Sequence, residues 1–187
     1  MENKKTIKIL LFFLLIIFSF AVRFMPHMPN FVPIGALGIL LGSKFSMGKS
    51  SLILLSVMFV SDLFIGFYNM KIMMAVYFSF VLYIVIGNFF KEMKYKLILA
   101  PLLGSILFFI ITNFAVFAFS PWYEKNIQGL IKAYILAIPF FRNSLAGDIF
   151  YTFAFYAVYE LVTNSELSLK IINITRSQEI IKKYERK

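Results

Sequence analysis

Five long apolar runs, at residues 7–22, 51–67, 73–90, 97–119 and 144–162, divide this chain, and most charged residues sit in the gaps between them. A helix rises about 1.5 Å per residue, so roughly 20 apolar residues carry it across ~30 Å of hydrocarbon. Lipid offers no partner to backbone N–H and C=O groups, and a helix satisfies them within its own segment. These runs are therefore expected as spanning helices. A sixth run, 31–43, is short; it opens with Pro33, which suits a first helical turn, and Lys44 can snorkel from its far end. It is expected as a span that is tilted, extended or partly re-entrant. The predicted fold is all-α: a polytopic membrane bundle of about six helices over residues 1–162, followed by a basic amphipathic tail over 163–187.

Composition excludes the soluble alternatives. The chain has 187 residues, 60% hydrophobic and 19% aromatic, and a soluble domain of this length cannot remove that much apolar surface from water. The net charge of +10 would suit a nucleic-acid binder if Lys and Arg gathered on one polar face, but here they fill short gaps between apolar runs. That pattern fits topology and contact with anionic lipid headgroups. With no cysteine and a single histidine, disulfides, thiolate catalysis and clustered zinc ligands are excluded, and no metal or cofactor is expected.

Orientation follows from the loops. With both termini in the cytoplasm of a bacterial plasma membrane, 14 of the 19 Lys and Arg residues lie inside and 5 outside: Arg23, Lys71, Lys125, Lys132 and Arg142. The segment 130–141 is apolar apart from Lys132 and contains Pro139. A seventh span there would carry the basic tail outside, so the segment is expected as an interfacial or re-entrant helix at the outer surface. Lys4 and Lys5 before an apolar stretch, with small residues at Ser19 and Ala21, also resemble a signal peptide, but the further spans favour a retained first helix.

Polar residues inside the spans need a reason, since each costs a few kcal/mol on insertion. Asp62, Asn113 and Asp148 are expected in the outer halves of three helices, Asp148 in the first turns of its own. The outer loops add Arg23, His27, Asn30, Arg142 and Asn143, with Trp122 and Tyr134 among the aromatics. Asp148, Tyr151, Thr152, Phe155, Tyr156 and Tyr159 share one helical face, with Gly147 and Phe150 on the other. Such a stripe should face the bundle or a water-filled cavity. Two readings of the carboxylates stand: they bind a solute, or Asp62 and Asp148 pair with Arg23 or Arg142 across helices. Gly38 and Gly42 have the spacing at which helix backbones approach closely. Gly48-Lys49-Ser50 is not the end of a phosphate loop, because Ser43 stands where that motif needs glycine. His27 lacks an orienting acid and a nucleophile elbow, so it reads as a polar contact; no enzyme is expected.

Several blocks in their order, Arg23-Phe24-Met25-Pro26-His27-Met28-Pro29-Asn30-Phe31-Val32-Pro33-Ile34-Gly35, then Ser61-Asp62-Leu63, Thr112-Asn113-Phe114 and Pro139-Phe140-Phe141-Arg142-Asn143-Ser144-Leu145-Ala146-Gly147-Asp148, carry a resemblance. The chain resembles a family of small bacterial membrane proteins described as transport proteins of unknown function, similar in turn to the substrate-binding S components of energy-coupling factor transporters. The resemblance implies a six-helix bundle that captures a small solute from the outer side, with a transmembrane coupling subunit and its ATPases as partners. The first helix departs from S components, which carry alanines spaced by three residues for docking; here only Ser19 and Ala21 are small. The Met-His start of cobalt and nickel relatives is also missing, since Glu2 follows Met1.

The leading expectation is a solute-binding transport subunit for a vitamin-like or heterocyclic molecule. Asp148, Asn113 and Asp62 would fix polar groups, Tyr151, Tyr134 and Trp122 would supply walls, and Arg23, His27, Asn30, Arg142 and Asn143 would line the outer rim. The alternative is a scaffold of the bacterial envelope, in which these residues only pair helices.

Overall fold

The computed structural model describes residues 2–164, and every regular element in that range is an α-helix. The basic tail from residue 165 onward, with Lys170 and Arg176, lies outside the described residues. The helices are α1 (Glu2–Val22), α2 (Ile34–Lys44), α3 (Met47–Ile65), α4 (Met70–Phe90), α5 (Lys96–Phe119) and α6 (Ile127–Thr163). Four of them, α3 to α6, are long and apolar enough to cross a bilayer, consistent with a membrane protein; α1 and α2 offer the shorter apolar stretches Thr6–Val22 and Ile34–Lys44.

Polar caps and short turns reverse the chain. Gly66 ends α3 at φ 110°, where only glycine is unstrained, and the Asn69 side chain accepts from the N–H groups of Lys71 and Ile72 to open α4. The Asn126 side chain accepts from Gly129 N–H to open α6. Lys125 donates to the carbonyls of Phe117 and Ser120, a cation at the C-terminal end of α5 where the helix dipole favours one. The loops after α1, α3 and α5 thus gather at one end of the bundle, and the start of α1, the end of α6 and the two remaining turns at the other.

The short α2 is the axis of this arrangement. Its residues Ile34 to Gly42 are all buried, as expected of a helix apolar on every side, and its 11 residues span roughly 16 Å, about half the hydrocarbon thickness. It packs most closely on α4 and also on α6. The crossing with α4 is backbone on backbone: a Cβ at Gly42 would fall on the Ile84 carbonyl and one at Gly87 on the Ile39 backbone. The close approach expected at Gly38 and Gly42 is present, completed from the α4 side by Gly87. Gly48 faces open space.

Residues 130–141 do not form a separate helix. They are the first half of α6, which runs unbroken for 37 residues through Pro139, roughly 55 Å and longer than one bilayer crossing. Tyr134 donates to the Ile110 carbonyl at 2.7 Å, and Phe109 packs against both Tyr134 and Phe141, so this half lies along α5. The polar pair Arg142-Asn143 after Pro139 suggested a loop before a separate last span; instead the helix runs through both, packed along α5.

Candidate functional site

Asp148 stands past the midpoint of α6 and is 5% exposed. Two neutral groups hold one of its oxygens: Tyr83 of α4 donates to Oδ2 at 2.5 Å and Ser105 of α5 donates to the same atom at 2.6 Å. The other oxygen, Oδ1, lies against Gly35 of α2, where a Cβ would collide with it. Gly104 of α5 similarly leaves room for the Tyr83 ring. Two glycines and a serine therefore carve the space in which a carboxyl and a phenol meet inside an apolar bundle. This depth corrects the expectation that Asp148 sits in the first turns of its helix, because α6 begins well before residue 144.

Asp148 forms part of a cavity of about 330 Å³ to which all six helices or their connecting loops contribute. Its deep walls are Gly35, Met58, Phe80, Tyr83 and Phe108, and its rim carries Arg23, His27, Asn30 and Tyr68. His27, Asn30 and Tyr68 are exposed, so the cavity opens at the end of the bundle that carries the α1–α2 loop. In that loop Asn30 adopts φ 64°, a left-handed conformation that asparagine tolerates better than most residues, and the Phe31 N–H closes a turn onto the Met28 carbonyl. His27 Nδ1 donates to the Met25 carbonyl at 2.6 Å, which orients the ring at the rim. Partial desolvation of the half-exposed ring at the rim, with the nearby Asp62 charge adding to it, pushes the Tyr68 phenol up to about 12, so it stays a neutral donor at physiological pH.

The second buried carboxylate has a different environment. Asp62 near the end of α3 forms an ion pair with Arg23 and accepts from the Tyr77 hydroxyl at 2.7 Å. Arg23 is thus neutralised at the rim, and of the two readings for Asp62 the pairing one describes its contacts. Asp148 pairs with neither Arg23 nor Arg142; Arg142 is exposed.

A second cavity of about 200 Å³ adjoins the first and shares Asn30, Val76, Phe108 and Ser144 with it. Asn113 lines this one, with Thr112, Phe140 and Phe141, although its amide donates to the Phe109 carbonyl. Asp148, Arg23, His27 and Asn30 therefore share the main cavity, and Asn113 stands in its neighbour. The rest of the expected set lies elsewhere. Tyr151 packs among Phe18, Phe31, Phe150 and Phe155, Tyr134 lies along α5, Trp122 is 74% exposed, and Arg142 and Asn143 line neither cavity.

The polar stripe on α6 does face inward: Asp148, Thr152, Phe155 and Tyr156 are buried. It splits into two environments, because Tyr156 donates to Ser43 at 2.7 Å at the opposite end of the bundle, beside Lys44 and Lys96. Gly147, expected on the other face, is buried against Phe31. Sequence reasoning missed Tyr83, Ser105 and the aromatic wall of Phe80 and Phe108. Phenylalanine and tyrosine inside an apolar run give no sign of which way they face; the small pair Gly104-Ser105 in the middle of a span was the available signal.

The chain belongs to a family of unknown function, DUF6580, whose sequence model matches residues 3–170. No curated protein and no solved structure matches it.

Proposed function

We propose that this protein is a solute-binding membrane subunit that takes up a small molecule in the cavity ending at Asp148. The observation that carries the reading is the cavity itself: an open rim, aromatic walls and a buried carboxyl in the middle of a bundle with four helices long and apolar enough to cross a bilayer. An ionisable group at that depth is costly and marks a substrate or ion path by default. A few placed polar groups in a mostly apolar pocket are what fix the orientation of a small ligand. The volume, at the low end of the ~300–1,000 Å³ range of ligand pockets, suits a single compact solute.

The same reading places the chain in a bacterial plasma membrane with both termini in the cytoplasm and the cavity open to the outside. The 14 to 5 distribution of basic residues supports that orientation, since Arg23, Lys71 and Lys125 gather at the cavity end. The likeness to S components belongs to this proposal too and implies an energising partner that re-orients the loaded subunit. The protein would bind and not transform its solute.

Native mass spectrometry of the protein purified from its own membranes tests the reading. A co-purified small molecule, retained by wild type and lost from a folded Asp148→Asn variant, is the expected result. Bare protein throughout, with uptake by cells unchanged on deletion, would favour the envelope scaffold.

A further inference from the structure

We infer that the cavity selects a cation: a small amine or protonated nitrogen heterocycle whose positive group sits on Asp148 and whose body lies against Phe80, Tyr83 and Phe108. The inference rests on the solute-binding reading and adds the charge class of the solute.

The argument begins with what Asp148 lacks. Both of its hydrogen-bond donors, Tyr83 and Ser105, are neutral and both address Oδ2. Oδ1 receives no hydrogen bond, and Asp148 forms part of the cavity wall. No ion pair joins Asp148 to a cation among the described residues; the one such pair consumes Arg23 on Asp62 at the rim. The charges around the cavity therefore do not cancel. Arg23 and Asp62 neutralise each other, Tyr68 is a neutral phenol, and the remaining carboxyl at the deep end has no counter-charge. A buried carboxylate is tolerated when it is paired, and a cationic ligand supplies the missing half.

The walls suit the same class. Phe80 and Tyr83 stack with centroids 5.6 Å apart, and Phe108 closes on them at 5.1 and 6.4 Å. Such a cluster favours a flat apolar body and attracts a cation through its ring faces. An anion would face Asp148 with its own charge while the rim guanidinium is already engaged. A zwitterion would leave its carboxylate without a free guanidinium, because Asp62 already engages Arg23.

The test uses the full chain in lipid nanodiscs and three phenyl probes of similar size, benzylamine, benzyl alcohol and benzoate, with binding read by ligand-observed NMR and by thermal shift. Benzylamine should bind at least tenfold more tightly than the other two, and Asp148→Asn should remove that preference. Gly48→Ala, in open space away from both cavities, should retain it, and if Asp148→Asn does not fold the ranking of the three probes on wild type decides. Equal or tighter binding of benzyl alcohol or benzoate would overturn the cation inference while leaving the cavity a solute site. If none of the three binds, the charge of the molecule retained in native mass spectrometry decides: a cation supports the inference and a neutral or anionic solute overturns it. No probe and no retained molecule would overturn both this inference and the solute-binding reading.

Discussion

Tyr83 on α4 donates its phenolic hydrogen to Asp148 on α6 at 2.5 Å, in space left by the missing side chains of Gly35 and Gly104. Tyr83→Phe keeps the ring and removes the donor, so Oδ2 retains only Ser105. A buried hydrogen bond to an ionisable group contributes about 1–3 kcal/mol, and the variant should lose stability on that scale in a detergent unfolding titration. Combined with Asp148→Ala, the two losses should be non-additive, because the second change removes the acceptor the first one addressed. Strict additivity would show that the pair does not interact.

The crossing of α2 and α4 predicts a contrast among glycines. At Gly42 and Gly87 an added methyl meets the backbone of the opposing helix, which cannot rotate away, so each change to alanine should cost about 1–3 kcal/mol as overpacking. Gly48 lies in α3 with open space around it, and Gly48→Ala should be neutral or slightly stabilising, since alanine is the better helix former. Thermal denaturation of the three purified variants checks the ranking. Equal melting temperatures would remove the close-packing account of α2.

How much of this could be read in the sequence differs between its levels. The helices were legible because the length and hydrophobicity of a run decide them, and Gly38 and Gly42 announced the close crossing. Asp148, His27, Asn30 and Arg23 were legible as site candidates because polar groups are rare in such a chain. Their depth was not. Pro139 and the polar group Arg142-Asn143 looked like a boundary, and only the packing of Tyr134, Phe109 and Phe141 along α5 keeps α6 continuous. Tyr83 was invisible for a related reason: in a run apolar on all sides, periodicity carries no information about which residue faces a cavity.

The Arg23–Asp62 pair predicts an asymmetry. The Asp62 side chain is 3% exposed and that of Arg23 is 17%, at the end of the bundle. Arg23→Gln strands a buried carboxylate with Tyr77 as its remaining partner and should cost about 3 kcal/mol. Asp62→Asn leaves a guanidinium that can swing toward water and should cost less. The double variant should recover part of the Arg23→Gln loss. A larger cost for Asp62→Asn than for Arg23→Gln would mean that Arg23 is the more deeply held partner.

The chain has no cysteine, so single-cysteine variants report on the cavity and its orientation without interference. Ser144 is 7% exposed but lines both cavities, whereas Ser50, fully buried, donates to the Leu41 carbonyl and lines neither. A thiol reacts as its thiolate, which requires water and access, so burial by packing and burial beside a cavity should behave differently. Ser144→Cys should react with a small, membrane-impermeant methanethiosulfonate added to intact cells, and Ser50→Cys should not. Asn30→Cys, on the exposed rim, should react faster than either, while Ser46→Cys, exposed in the turn before α3 at the opposite end, should react only after the cells are opened. Labelling of Ser46→Cys but not Asn30→Cys in intact cells would invert the proposed orientation. Equal protection of Ser144→Cys and Ser50→Cys in opened cells would show that water does not reach the cavity beside Asp148.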